Sequence, residues 1–389
     1  MMPGEERPDS TSQGRSPGKG RRLSFWLRPL WWANGLAALL LLVTYLAPRT
    51  DPAIAWPLAL LAMSYPYQLL LHAAFILWWM LFRPRRMVLS LLLVLLGWSH
   101  VGDHFQLFGR RAPATEVRGV PVKLMSWNVR LFDLYNWNKN KASRDAIFEV
   151  LKAQDADILC LQEFFHSPDP RFFRTKESLL KDFRYKYLHD SYSQKSRYEQ
   201  HFGIATFSTH PIIDRGAIAF PDNPDNQCIW SDIVIAPDTI RVYNAHLASY
   251  HFGDEEYRFL AELNTEMDGK QIQRGGKRIL KLLRRGFRLR ADEVKHIAEH
   301  MRESPYPVVY CGDMNDVPMS YSYRRLRLLL KDAFRESGRG TGGTYIGRLP
   351  SFRIDHILHD ERIESWGFIT HPEELSDHHA ISCIMAVRE

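Results

Sequence analysis

Apolar residues are distributed along this chain in two ways. Between Leu30 and Phe108 they form long blocks, and beyond Val120 they form short runs bounded by Gly, Pro and Asp. Leu30–Ala47 holds no charged residue; as a helix it would be about 27 Å long, close to the apolar thickness of a bilayer. Leu58–Phe82 is a second charge-free run, with Pro66 predicting a kink, and Met87–Gly102 is a third, shorter and Leu-rich. Trp31, Trp32, Trp78, Trp79 and Trp98 flank these runs, as tryptophans do at a membrane interface. The pattern predicts a transmembrane region over residues 30–108, with helices near 30–47, 58–82 and 87–102. The third run leaves a re-entrant or interfacial course open. A buried helical subdomain is the alternative for all three.

The short runs predict a different architecture. Val122–Trp127, Ile158–Leu161, Ile204–Phe207, Ile229–Ile235, Ile240–Ala245, Pro307–Cys311, Ile354–Leu358 and Ile381–Val387 read as strands. Helical spacing appears over Arg144–Ala153, over a long segment Lys277–Met301 and over Tyr321–Leu330. Several strands follow one another without a helix between them. That favours an α+β sandwich with helices outside over a purely parallel sheet.

Composition and charge divide the 389 residues further. Residues 1–29 are rich in Pro, Gly, Ser and charge and read as a disordered basic tail. Lys19, Arg21, Arg22 and Arg28 precede the first apolar run, and Arg83, Arg85 and Arg86 separate the second from the third. The positive-inside rule puts the tail and the Arg83–Arg86 loop in the cytoplasm. Three crossings then place the large C-terminal region outside the cytoplasm, and two place it inside. Residues 109–120 read as a linker and 121–389 as the catalytic domain. The four cysteines, Cys160, Cys228, Cys311 and Cys383, lack zinc-type spacing and read as buried free thiols.

Polar groups suited to metal and phosphate chemistry end the short apolar runs. Asn128 follows Met125-Ser126-Trp127, and Glu163 follows Leu161-Gln162. Asn244 and His246 sit in Tyr-Asn-Ala-His-Leu, and Asp313 and Asn315 in Gly-Asp-Met-Asn. Asp355 sits in Arg-Ile-Asp-His, and Asp377 and His378 in Ser-Asp-His-His. Any one of these alone is more often a turn or a helix cap. Their order along the chain resembles the endonuclease/exonuclease/phosphatase superfamily, of DNase I-like fold. That superfamily has Asn after the first strand, Gln-Glu, a His-Leu strand end, Gly-Asp-x-Asn, an Asp-Tyr or Asp-His, and a terminal Ser-Asp-His. The resemblance covers roughly residues 121–389, and the anchor resembles that of bacterial members. It implies a four-layer α/β/β/α sandwich and a multi-pass protein of the bacterial inner membrane.

Phosphodiester hydrolysis needs a hard cation, a positioned water and a proton for the leaving oxygen. Glu163 is the oxygen ligand best suited to Mg²⁺, with Mn²⁺ as a substitute, and Asn128 can share the ion. Asp313 is the candidate to orient or deprotonate the water, and Asn315 to hold it or a phosphate oxygen. The resemblance implies a His378–Asp355 dyad and sets Asp377 on the metal side. His246 would stabilise charge on the phosphate, and Asn244 would position substrate. The function expected is a membrane-anchored, Mg²⁺-dependent phosphohydrolase, specifically a phosphodiesterase. Its partners are the phosphoester (nucleic acid, phospholipid or a soluble compound) and the bilayer; no protein partner is expected. A catalytically inactive scaffold of the same fold is the alternative, although its mark, loss of one of these residues, is absent from the sequence. A binuclear metallophosphoesterase is excluded, because an early Asp-x-His, an Asn-His-Glu or Asn-His-Asp and a late Gly-His-x-His are missing. Gly338–Gly343 reads as a flexible loop near the mouth of the site. The basic stretch Lys270–Arg290 reads equally as a solvated helix face or as a contact for anionic phosphate.

Overall fold

The computed structural model describes residues 27–137, 142–169, 171–196, 199–262, 268–347 and 352–389. The tail expected over 1–29 lies outside the described residues as far as Trp26. Among the described residues, twelve strands follow the N-terminal helices. They are β1 (Val117–Asn128), β2 (Ile158–His166), β3 (Tyr187–Lys195), β4 (His201–Ser208), β5 (Ile212–Ile218) and β6 (Gln227–Ile235). After these come β7 (Asp238–His246), β8 (Val308–Asp313), β9 (Lys331–Asp332), β10 (Asp355–His359), β11 (Ile363–Thr370) and β12 (Ile381–Arg388).

The strands form two six-stranded sheets, ordered β11-β12-β1-β2-β4-β3 and β5-β6-β7-β8-β10-β9. Each sheet has one parallel pair at its centre, β1 with β2 and β7 with β8. The strand ends of these pairs therefore point the same way. Inward side chains such as Leu124 and Cys160 from one sheet, and Val242, Val309 and Ile357 from the other, form the inter-sheet core. Strand periodicity puts Met125 and Trp127 on the opposite face, where Ile147, Leu151 and Leu179 cover them from helices Ser143–Gln154 and Thr175–Asp182. Val294, Ile297 and Met301 of the 34-residue helix Gly269–Arg302 cover the outer face of the second sheet. The result is the four-layer α/β/β/α sandwich. All four cysteines are free and buried.

Four strands were not evident in the sequence: β3, β5, β9 and β11. They are the four sheet edges. An edge strand buries less of each face, and β5 is largely exposed. β11 hides its signal differently, because Glu364 and Ser365 are buried polar positions within it. β1 begins at Val117, inside the segment read as a linker, and the preceding residues run along β11. There the Ala114 amide donates to Glu364 at 2.9 Å and Arg110 donates to the Ser365 carbonyl at 2.7 Å.

In the N-terminal region, Leu27–Arg49 and Tyr65–Phe82 are long and apolar enough to cross a membrane. Pro84–Leu96 and Trp98–His104 would make a third span only as a bent pair, at 67°. The apolar run over 58–82 is two helices, Pro57–Met63 and Tyr65–Phe82. Pro66 occupies the first turn of the second helix, where its missing N–H costs nothing. Gln68 fills the break by donating to Ser64 and Thr44 at 2.8 and 2.9 Å. Buried Asn34, His72 and Ser90 bridge the three long helices: Ser90 donates to Asn34 at 2.8 Å and sits 3.0 Å from His72 Nδ1. Helix–helix hydrogen bonds of this kind hold helices together where hydrophobicity alone cannot discriminate partners.

Candidate active site

The parallel centres of the two sheets deliver their C-terminal ends to one place. β1 ends at Asn128, β7 at His246 and β8 at Asp313, with His246 paired to Asp313 in register. β10 runs antiparallel to β8 and starts at Asp355, opposite Asp313. Glu163 sits in β2 at a bulge between Leu161 and Phe164, with φ of +48°. Asn315 also lies in the left-handed region, at φ +53°. Two functional candidates in this sparsely populated conformation fit a site whose surroundings over-determine its backbone. Gly312 explains the Gly-Asp pair: its φ is +139°, and a Cβ there would lie 2.0 Å from the Ala245 carbonyl oxygen.

Asn128 is wholly buried and donates to Glu163 Oε1 and to Asp313 Oδ2, both at 3.1 Å. Its own Oδ1 accepts from the Arg130 amide. His246 Nε2 lies 3.8 Å from Glu163 and 3.7 Å from Asp313. The Asn315 amide donates to Asp313 Oδ1 at 2.8 Å, and its side chain donates to the Leu247 carbonyl at 3.0 Å. His378 Nδ1 is 2.9 Å from Asp355 Oδ2, while Nε2 is 3.7 Å from Asp313 Oδ2. Asp377 faces the same cavity, 3.5 Å from the Arg130 guanidinium.

These distances set the charges. Burial lowers the basicity of His378, but the Asp355 and Asp313 carboxylates outweigh it and hold its pKa well above the usual histidine value. Burial pushes the Asp313 pKa up to about 6, with the His378 charge pulling down and Asp355 pushing up. Burial also raises Asp355, but the charge and hydrogen bond of His378 win and its pKa falls below the usual value. The site thus holds one carboxylate basic enough to take a proton near neutrality and one committed to the histidine.

The sequence motifs imply a metal, and the donors present decide where one would fit. Ligand atoms of Asp313, Asp355 and His378 lie within 4.8 Å of one another. His378 and Asp355 already satisfy each other at 2.9 Å, so an ion among the three would have to break that bond. Glu163 is the better fit: its carboxylate is one-third exposed to the cavity, and Asn128 and Asp377 are the nearby oxygen sources. This is an oxygen set for a hard divalent cation. Asn128 could join it only with its amide rotated, because Nδ2 now faces the carboxylates.

One expected site residue is elsewhere. Asn244 is buried between the sheets, accepting from Gln162 at 2.7 Å and donating to the Ala205 carbonyl at 3.0 Å. It lies two residues before His246 on the same face of β7, one strand pleat deeper, so it braces the sheets rather than touching a substrate. The glycine-rich loop also differs from expectation, since Gly340 pairs with Gln106 beyond the N-terminal helices. Its useful end is Thr344, whose hydroxyl accepts from the Ile354 and Asp355 amides at 3.0 and 3.1 Å. His356 is no site residue; it is buried between Arg353 and the Asp316 carbonyl. Arg290, last in the basic stretch, is fully buried, donating to the Ala248 carbonyl and the Tyr250 hydroxyl at 2.6 and 2.8 Å.

Two further residues, absent from the sequence motifs, support His378. Trp127 donates to the His378 carbonyl at 2.8 Å, and Tyr345 lies edge-on to its ring at 5.5 Å. Trp127 directly precedes Asn128, a signal that was available but reads equally as core.

Residues 125–378 match the profile of the Endonuclease/Exonuclease/phosphatase family, and residues 27–104 match that of a domain of unknown function (DUF8431). Among solved structures, an endonuclease/exonuclease/phosphatase from Beutenbergia cavernae is similar at 16% identity, over 69% of this chain and 72% of that one, with TM-score 0.50. One from Bacteroides vulgatus is similar at 17%, over 69% and 100%, with TM-score 0.48. The human Nocturnin catalytic domain with bound sulfate is similar at 16%, over 71% and 96%, with TM-score 0.47. No curated protein matches the sequence.

Proposed function

We propose that this chain, which belongs to the endonuclease/exonuclease/phosphatase family of metal-dependent phosphoric ester hydrolases, is a membrane-anchored, Mg²⁺-dependent phosphodiesterase. The observation that carries this reading is His378, held between Asp355 at 2.9 Å and Asp313 at 3.7 Å on the wall of a cavity shared with Glu163 and His246.

Glu163, with Asn128 and Asp377, would hold the ion, which when bound supplies neutralisation of charge on the phosphate oxygens. Asp313 holds the attacking water and takes its proton, for which its raised pKa suits it. Asp355 fixes the His378 ring so that Nε2 carries a proton toward the reacting centre. His246 and the second N–H of the Asn315 side chain direct donors at oxygens on which charge develops. Water adds to phosphorus, the bond to the leaving oxygen breaks, and one monoester and one alcohol result.

The anchor is the helical region, read as three spans with the bent pair as the third. On this reading the Arg83–Arg86 loop is cytoplasmic and the catalytic domain is extracytoplasmic, in the inner membrane of a bacterium. Contacts support it, because Tyr45, Ala47, Ala62 and Tyr65 at one end of the helices pack on the catalytic domain. Arg86 at the other end stacks on Trp31 and Trp79.

The test is hydrolysis by the full chain in detergent. Plasmid DNA, single-stranded RNA, phospholipid vesicles and bis-p-nitrophenyl phosphate are offered with Mg²⁺, Mn²⁺ or EDTA, beside His378→Ala. Turnover lost with EDTA and with the variant is expected. Turnover that survives both, or none with any substrate, overturns the reading and in the second case favours an inactive scaffold.

A further inference from the structure

The loops that carry the two central carboxylates are built into the helical region. Just past Asn315, Val317 and Met319 are buried in one cluster with Leu41, Tyr45, Ala62 and Tyr65. Just before Asp355, Phe352 and Ile354 pack against the same cluster. Met63, the last residue of helix Pro57–Met63, lines the catalytic cavity itself, and the Tyr250 hydroxyl donates to its sulfur at 3.5 Å.

The cavity therefore has two unlike walls. Glu163, His246, Asp313, Asp377 and His378 form the polar one, and Met63, Phe252, Val317, Phe352 and Ile354 form the apolar one. Among the described residues no lysine or arginine lines the cavity. A polynucleotide brings further phosphates on both sides of the one cleaved, and such phosphates are normally met by cations. Arg130 is paired with the lining residue Asp377 at 3.5 Å, and the apolar wall opposite fits a single phosphate attached to something apolar.

The apolar surface also continues outward at this end of the helices. Leu46, Ile54, Trp98, Phe105, Leu107 and Phe108 are all exposed there, Ile54 at 83% and Phe108 at 86%. Exposed aromatic and aliphatic side chains beside spanning helices belong at the level where headgroups meet acyl chains. On the three-span reading the cavity opens beside the bilayer surface, with Met63 as part of its wall.

Resting on the phosphohydrolase reading above, we infer that the substrate is a membrane-resident amphiphile with a phosphodiester in its headgroup. The phosphate meets the Glu163–His378 wall, the adjoining apolar segment lies along Met63 and Phe352, and the rest of the tail stays in the bilayer.

The experiment compares two diesters with one leaving group, hexadecyl p-nitrophenyl phosphate and ethyl p-nitrophenyl phosphate. The full chain hydrolyses each in dodecyl maltoside micelles with Mg²⁺, and a single-stranded DNA oligonucleotide serves as competitor. The expected KM for the hexadecyl ester is at least about tenfold below that for the ethyl ester, from burial of apolar surface. Met63→Glu should bring that ratio down toward one, chiefly through KM. Phe352→Ser is the second variant, and the wild-type ratio stands on its own if Met63→Glu does not fold. Equal KM values for the two esters, or a ratio unmoved in both folded variants, would sink the lipid class and leave the hydrolase intact. Competition by the oligonucleotide below the hexadecyl KM would hand the site to nucleic acid. No turnover of either ester would bring down the hydrolase reading, and this one with it.

Discussion

Asp313 and Asp355 face each other across the last rung of the β8–β10 ladder, and one histidine reaches both. Two carboxylates buried side by side cannot both ionise freely. His378 breaks the tie by sitting 0.8 Å closer to Asp355, at 2.9 against 3.7 Å. The closer acid becomes the orienting partner, and the farther one is left with the raised pKa of a base.

Asp355→Asn should keep the fold and lose most of the rate. The amide can replace the acceptor but does not hold His378 charged, and the analogous loss in other His–Asp pairs is about 10⁴-fold in kcat. Steady-state kinetics on bis-p-nitrophenyl phosphate measures it. A fall of less than about tenfold would remove the dyad from the mechanism.

Glu163→Gln should act through the metal. It keeps the shape and removes the charge that faces the cavity, so the Mg²⁺ concentration for half-maximal activity should rise by roughly 10- to 100-fold. A metal titration of initial rates checks this, and an unchanged midpoint with lower kcat would point to a role on the substrate instead.

Asn244→Ala should weaken the fold and spare the chemistry. Removing it takes away its bonds to the Gln162 amide and the Ala205 carbonyl between the sheets, a loss of about 1–3 kcal/mol. Thermal unfolding reports the loss, and KM for bis-p-nitrophenyl phosphate should stay within about twofold, since no contact with the cavity is removed. A selective rise in KM would restore Asn244 to the substrate site.

Acid should loosen a buried pair next to the site. Burial alone would raise the Asp332 pKa, but the Arg353 guanidinium at 2.8 Å holds it at about 2. A carboxyl lower when folded than unfolded adds stability that is present above the unfolded value near 4 and is lost as pH falls toward 2. Between those limits, unfolding midpoints of the wild type should drop more steeply than those of Asp332→Asn, by about 2 kcal/mol at most. Parallel curves would show that the pair does not titrate with folding.

Sidedness is open to a thiol test. The four native cysteines are buried, so Asp222→Cys at an exposed position should be the reactive thiol. In intact cells whose outer membrane has been made permeable, a membrane-impermeant maleimide should label it. Labelling only after lysis would place the catalytic domain in the cytoplasm and reduce the crossings to two.

Much of the candidate cluster was legible because a sheet brings the polar residues at its strand ends together. Asn128, His246 and Asp313 each close an apolar run, and those runs are central strands buried on both faces. Asn244 misled for the same reason: it sits in an identical context two residues early, and only the partner sheet decides that it points into the core. The edges β3, β5 and β11 were illegible because exposed or buried polar side chains dilute their alternation. Arg290 was legible only as the end of a basic stretch, since nothing in its neighbours announces Asp316, which comes from a distant segment.

Val317, Met319, Phe352 and Ile354 have the helical region as their packing partner. An anchor joined by a loose tether could be cut away and leave a finished enzyme behind. Here the cut at Val117 would turn an internal seam into a bare greasy surface, on the very loops that hold Asp313 and Asp355 apart. The helical end of this protein is a structural part of the loops that carry its candidate catalytic carboxylates.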